Sequence, residues 1–355
     1  MGEVNTSLYP LSFKAAILEQ NHAPLTIDEV TFTGPLQVGQ ILVKMCTSGI
    51  CGKQLEEIDG SRGQDPFLPH MLGHEGSGIV LDVGPGVRKV AVGDLVVLHW
   101  VKGSGIDASP PLYSRGEMRV NAGWVTTFNE YAVVSENRIT KLPENADLDI
   151  ACLLGCAVTT GIGVILNEAA VRPGESVCIF GCGGVGLSAI QGACLVNAYP
   201  IIAVDKEIRN LELAAAMGAT HLINTSLSEV ISEVREITHH KLCNYVILTA
   251  TQPQAIQDAI ECAAIPGDVI FVGVPAAEAV ISVNPFAIHC QRTLRGSFGG
   301  GIVPDRDIPR YYDLHLRGLL KMDALIGKKV FFAEINQGIA ALRTGLAGRC
   351  IIKFQ

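Results

Sequence analysis

"VCIFGCGGVGLSAIQGACLVNA", residues 177–198, decides the fold. Its first four residues are apolar and read as a buried strand. Gly181, Gly183 and Gly186 then fall in G-x-G-x-x-G spacing, and small residues continue as a helix able to pack closely. Each glycine has a task. Gly181 permits a tight turn, Gly183 lets a pyrophosphate approach the backbone, and Gly186 lets the helix lie on the strand. Gly184 and Val185 open the helix, whose free N–H groups and positive dipole end face the phosphates. In a chain with 38 glycines the spacing alone says little. The next strand, "PIIAVD", makes it strong by ending in Asp205, about 20 residues further on. A carboxylate there accepts hydrogen bonds from a ribose diol and repels a 2′-phosphate, which favours NAD. Lys206 and Arg209 nearby are the residues that would instead receive such a phosphate.

Strand and helix patterns keep alternating around this stretch. "PIIAVD", "THLIN", "CNYVILTA" and "DVIFVGVP" read as strands with helices between them, which predicts a doubly wound parallel sheet of Rossmann type over 158–298. The first 150 residues have a different texture: short β-branched runs such as "QILVKMCTSGI", "SGIVLDVG" and "DLVVLHW", broken by Gly, Pro and Asp. They form a mostly-β domain. The terminal "GRCIIKFQ" reads as a strand returning to it, so the α/β chain divides into 1–157 with 299–355, and 158–298.

The length of 355 residues suits two domains. A net charge of −8 without a long basic run excludes a nucleic-acid surface. No apolar run approaches the roughly 20 residues needed to cross a bilayer, so no membrane is expected. The opening "MGEVNTSLYP" has neither a basic nor an apolar leader region, which points to a cytoplasmic protein. The 11 cysteines, an odd number scattered along the chain, do not suggest a disulfide framework. Cys178, Cys194 and Cys350 sit in apolar strings and read as small buried hydrophobes.

Cys51 and Cys156 stand apart. Cys51 lies in "TSGICGKQLEEIDG" (47–60), and "LGHEGSGIV" (72–80) supplies His74 and Glu75. Catalytic zinc takes three sulfur or nitrogen ligands and keeps one position open. Cys51, His74 and Cys156 would provide that set, with Glu75 replacing water or accepting a hydrogen bond behind a ligand. Each also has an ordinary reading: a core cysteine, a loop histidine, a surface glutamate.

"SGIC", "LGHEGSGIV", "LGCAVTTGIG" and "VCIFGCGGVG", in that order, resemble the zinc-dependent medium-chain dehydrogenase/reductases of the alcohol, sorbitol and threonine dehydrogenase type. The likeness runs from about Phe13 to Phe354. It implies a GroES-like catalytic domain, with Cys51, His74 and Cys156 as catalytic zinc ligands and Glu75 as an acid able to enter the metal shell. It places Thr160 beside the nicotinamide. It gives the carboxamide to "VGVP", including Val272 and Val274, and to "GSFGG", including Phe298. It sends Arg349 to the pyrophosphate, and makes Trp100 and Phe128 the walls of a substrate pocket, which their neighbour His99 is expected to line as well. By the same resemblance "AVISVNP" (279–285) is an edge strand pairing two cofactor domains, which implies a homodimer or homotetramer.

Two departures matter. Relatives with a structural zinc carry four clustered cysteines where residues 94–124 have none, so one catalytic zinc and no structural zinc is expected. The usual Cys-Gly-Ser/Thr-Asp is here Cys51-Gly52-Lys53-Gln54. In that pattern the hydroxyl shuttles a proton and the aspartate orients the ligand histidine. Three readings of Lys53 stand open: a neutral amine relay beside the metal, a cation for an anionic substrate, or an idle residue paired with Glu56 or Glu57. The implied reaction is reversible NAD-linked oxidation of a small-molecule alcohol. Lys102, Arg115 and Arg119 turn the expectation toward a charged, hydrophilic substrate: a polyol, sugar or amino-alcohol derivative. A zinc-free quinone-type reductase and a non-catalytic nucleotide-binding relative are the alternatives on this fold.

Overall fold

The computed structural model describes residues 8–61, 63, 65–276 and 278–354; the first seven residues, on which the expectation about a leader falls, lie outside that range. The chain forms two compact units. The first comprises residues 1–156, 303–314 and 326–355, the second 157–302 and 315–325. The excursion 315–325 departs from the expected division. Lys321 explains it: its backbone N–H donates to Gln191 Oε1 (2.6 Å) and its Nζ to Ala216 O (2.8 Å), both in the second unit. No single helix among the described residues is long and apolar enough to cross a membrane.

The first unit opens with β1 (Leu11–Leu18), β2 (Thr26–Phe32), β3 (Gln40–Ile50), α1 (Gly52–Ile58), β4 (His70–Met71), β5 (Glu75–Val83) and β6 (Leu95–His99). It continues through β7 (Tyr113–Arg115), β8 (Met118–Val120), β9 (Tyr131–Ser135), β10 (Ile139–Lys141) and α2 (Leu148–Ala151). One sheet runs β4-β1-β2-β7-β8. The larger one is built on β3, which is buried along its length except at Lys44 and Cys46, as expected of a strand covered on both faces. β5 pairs antiparallel with β3, setting Ser48 opposite Gly76. The last strand of the chain, Arg349–Lys353, pairs antiparallel on the other side, with Cys350 opposite Ile50. Antiparallel pairing brings the end of β3 beside the start of both neighbours. Cys51, His74, Glu75 and Arg349 therefore meet at one end of one sheet.

A buried carboxylate ties the cysteine-free segment to the turn before β6. Glu136 accepts backbone N–H bonds from Arg88 (2.6 Å), Lys89 (2.9 Å) and Ile106 (2.8 Å). These bonds outweigh the desolvation that would raise its pKa and hold it below the ordinary value. Ser104 N–H donates to Asp305, which also pairs with Lys89.

The second unit holds α3 (Ala157–Gly163), β11 (Val177–Phe180), α4 (Gly184–Leu195), β12 (Ile201–Asp205), α5 (Ile208–Met217), β13 (His221–Asn224) and α6 (Val230–Ile237). β14 (Cys243–Leu248), α7 (Pro253–Glu261), β15 (Ala263–Phe271), α8 (Pro285–His289) and β16 (Arg292–Gly296) follow. Its six strands are all parallel, in the order β13-β12-β11-β14-β15-β16. The order reverses at β11, and in such sheets a ligand sits at the carboxyl end of that strand. Cys178 and Cys350 are fully buried, the small-hydrophobe role read from their apolar strings, whereas Cys194 is half-buried. One expectation is corrected. Residues 279–284 form no strand and Val280 is 86% exposed; β16 is the outer strand on that side, because it alone finds a partner, in β15.

Candidate active site

Cys51 caps the N-terminus of α1 directly after β3. His74 stands just before β5, and Cys156 follows the short turn of helix at Cys152–Gly155. The ligand atoms of the three lie within 4.8 Å of one another. Several buried groups fix them. Ser48 Oγ lies 2.9 Å from Glu75 O and 2.7 Å from Thr127 Oγ1, clamping the backbone beside His74. Gly49 must be glycine, since a Cβ there would run into the Glu75 carboxylate. Gln54 bridges two ligands: its Oε1 accepts from Cys51 N–H (2.9 Å) and its Nε2 lies 2.7 Å from His74 Nδ1.

The electrostatics favour a bound cation. A hydrogen bond from Cys156 holds the Cys51 thiol well below its ordinary range; Arg349 and His74 add to this and outweigh burial. The Cys156 thiol is pushed up by that same bond and by burial. Burial alone would lower the His74 pKa, yet Cys51, Glu75 and Glu57 raise it. Two sulfurs and one imidazole converging around a thiolate are a donor set that fits zinc.

Arg349, directed by the resemblance to the pyrophosphate, has its guanidinium inside this centre and is 5% exposed. It lies 3.3 Å from Glu75 Oε1 and 3.5 Å from Cys51 Sγ, and reaches Ile50 O at 3.4 Å. Burial opposes its charge, and Cys51, Glu75 and Cys156 more than restore it. Its observed work is to compensate two buried anions.

Lys53 donates to Glu56 Oε2 at 3.0 Å on the half-buried face of α1. Lys102 pairs with Asp107, and Arg115 with Glu19 and Asp28, so these loop cations have partners within the fold. Arg119 is exposed. Trp100 is half-buried. Phe128 and His99, expected to wall a pocket, have no accessible surface. Phe128 packs in a core with Leu18, Ile50 and Leu72. His99 Nδ1 lies 2.7 Å from Val101 O and its Nε2 2.9 Å from Thr140 Oγ1. These bonds and its burial make it a structural residue.

Burial pushes the His99 pKa down to about 4, against the pull of its bond to Val101. The folded chain thus keeps His99 neutral, whereas an unfolded chain protonates it below about pH 6.5. The stability due to this neutrality is complete above that value and is lost as the pH falls toward 4, by about 3 kcal/mol. Unfolding of wild type and His99→Gln across pH 4–7 should show a flatter slope in the variant; parallel slopes would refute the assignment.

In the second unit Gly181 takes φ +90°, and a Cβ on Gly186 would collide with Gly181 O, as the tight turn requires. A Cβ on Gly183 would meet nothing within 4 Å, so the turn leaves open space where a pyrophosphate fits. Asp205 does more than its sequence position suggests. Its Oδ2 accepts from Cys182 N–H (2.7 Å) and Oδ1 from Glu207 N–H (2.9 Å), tying the turn to β12. Lys206 and Arg209 are exposed, and Thr160 is nearly buried. Val272 is half-buried and Val274 exposed. Phe298 is 73% exposed, with its N–H 3.3 Å from Glu168 Oε1.

A doubly wound sheet with a glycine turn in one unit, and a two-sulfur, one-imidazole centre in the other, define a metal-dependent, nucleotide-linked oxidoreductase. Residues 37–144 match the family model of the alcohol dehydrogenase GroES-like domain, and 184–316 that of zinc-binding dehydrogenases. S-(hydroxymethyl)glutathione dehydrogenase of Synechocystis sp. is 31% identical, over 96% of this chain and 99% of that one. Alcohol dehydrogenase 6 of Peromyscus maniculatus is also 31% identical, over 96% and 97%. Among solved structures, an alcohol dehydrogenase zinc-binding domain protein from Burkholderia ambifaria has a TM-score of 0.90 at 30% identity, over 97% of this chain and 99% of its own. Benzyl alcohol dehydrogenase from Acinetobacter calcoaceticus has 0.88 at 28%, with the same coverage. The chain belongs to the zinc-dependent medium-chain dehydrogenase/reductases and is an NAD-dependent oxidoreductase of the alcohol dehydrogenase type.

Proposed function

We propose that the protein oxidises a polyol, sugar or amino-alcohol derivative reversibly with NAD⁺, at a single zinc held by Cys51, His74 and Cys156. The convergence of those three side chains carries the reading. Bound there, zinc supplies a Lewis acid for the substrate oxygen, and NAD⁺ supplies the hydride acceptor. Cys51 and Cys156 bring the negative charge that holds the cation, His74 completes the set, and Glu75 stands behind it in an ion pair with Arg349. Thr160, the turn at Gly181, Gly183, Gly184, Val185 and Gly186, and Val272, Val274 and Phe298 are proposed to hold the cofactor. Asp205 is proposed to receive the ribose, selecting NAD over NADP.

An anionic substrate is disfavoured because Lys53, Lys102 and Arg115 each have an acidic partner within the fold. With Lys53 held by Glu56, the proton released by the substrate leaves by another acceptor, such as water. Lys53→Ser should then change kcat/KM for neutral alcohols by less than about threefold and leave the pH–rate profile in place. A displaced profile would restore the relay, and a raised KM confined to acidic alcohols would restore the anion site. A single zinc per chain is supported by the cysteine-free segment 94–124, whose Ile106 N–H is held by the buried Glu136. A homodimer or tetramer is proposed on the exposed Val280 and Phe286 near the outer strand β16, and a cytoplasmic setting on 11 unbridged cysteines.

The test is a panel of alcohols and sugars assayed for NAD⁺ reduction, with zinc quantified on the same sample. Turnover with about one zinc per chain supports the proposal. Turnover of quinones without zinc would replace it with the zinc-free reductase. Bound zinc with no turnover of any alcohol would favour the non-catalytic relative.

A further inference from the structure

We propose that Gln54 is the positioning residue that sets how tightly this chain holds its metal, because it offers one acceptor where two ligand residues each need one. Gln54 has no exposed surface and sits one turn beyond Cys51 on α1. Its Oε1 takes the Cys51 N–H at 2.9 Å, and its amide nitrogen lies 2.7 Å from His74 Nδ1. Nδ1 is thereby occupied, which leaves Nε2 as the ring nitrogen free to bind a metal. A neutral imidazole that gives its Nε2 lone pair to a metal carries its hydrogen on Nδ1. That hydrogen then faces the amide NH₂, which is also a donor. Turning the amide over presents Oε1 to the Nδ1–H but sets the NH₂ against the Cys51 N–H. In both orientations one donor beside the metal lacks its acceptor, and a buried donor without a partner is costly. A carboxylate has two acceptor oxygens and serves both donors at once. The aspartate of the usual motif supplies such a group, and glutamine here does not. The exchange therefore weakens the hold on the metal.

The inference rests on zinc binding at Cys51, His74 and Cys156, and its test separates the two. Gln54→Glu keeps the size and reach of the side chain and adds the second acceptor. In competition with a chromophoric chelator it should bind zinc about 10- to 100-fold more tightly than wild type, the usual span for a group that orients a ligand. Gln54→Leu, which offers no acceptor, should bind no more tightly than wild type. Proton exchange in the zinc-loaded proteins gives a second readout, independent of affinity and of turnover. Wild type should protect only one of the His74 Nδ1–H and the Cys51 N–H; Gln54→Glu should protect both. Equal or weaker zinc binding by Gln54→Glu, or protection of both hydrogens in wild type, overturns the proposal. Should Gln54→Glu fail to fold, the wild-type exchange measurement decides alone. Failure of wild type to bind zinc at all would sink the metal reading, and this inference with it.

Discussion

A Cys51→Ser protein is expected to keep its fold, lose its zinc and lose turnover by about a thousandfold or more. Polarisation of a substrate oxygen by a metal is worth several kcal/mol, and about 4 kcal/mol corresponds to that factor. Serine removes the thiolate that anchors the centre. It leaves β3 and α1 intact, because what holds them is the pairing of β3 with β5 and the last strand, together with the Gln54 bond to the Cys51 backbone. Circular dichroism, metal analysis and steady-state kinetics on one preparation are the check. Full activity in a metal-free Cys51→Ser protein would refute the scheme.

Arg349→Met should cost about 3–5 kcal/mol of stability, the usual effect of removing one partner of a buried ion pair. Glu75 is fully buried, and its Oε1 lies 3.3 Å from the guanidinium. Methionine fills the space without the charge and takes the Arg349 counter-charge away from the carboxylate. The double variant Arg349→Met with Glu75→Gln should recover a large part of the loss, since a neutral amide needs no counter-charge. Denaturant unfolding of both single variants and the double measures this coupling. Strict additivity of the two single losses would show that the pair does not act as a unit.

The parts of this architecture that were legible in sequence are those where residue chemistry and spacing act locally. The turn from Gly181 to Gly186 and the strand periods of 177–271 state a parallel sheet, because no side chain but hydrogen fits at Gly186 and because fully apolar strands need cover on both faces. Cys51, His74 and Cys156 stood out because their chemistry suits a metal, although the residues lie far apart in the chain. What stayed hidden depends on three-dimensional convergence. The resemblance sets Gln54 where an aspartate orients the ligand histidine, but gives no hint that its Oε1 also takes the Cys51 N–H. Arg349, directed by the resemblance to the pyrophosphate, joins the Cys51 centre only once the last strand (Arg349–Lys353) is paired beside β3. Ser48 and Thr127 become a clamp only once their hydroxyls meet at 2.7 Å. His99 and Phe128 looked available to substrate because sequence gives the residue type and not its exposure. "AVISVNP" has the composition of a strand, yet strand formation needs a partner as well as a propensity.

X-ray absorption at the zinc edge of the purified, active protein is the most direct test of the claim that two thiolates and one imidazole share one ion. The account predicts one zinc per chain with two sulfur neighbours at about 2.3 Å and lighter neighbours, including one imidazole nitrogen, at about 2.0–2.1 Å. A shell of four sulfurs, or active protein without zinc, would contradict it.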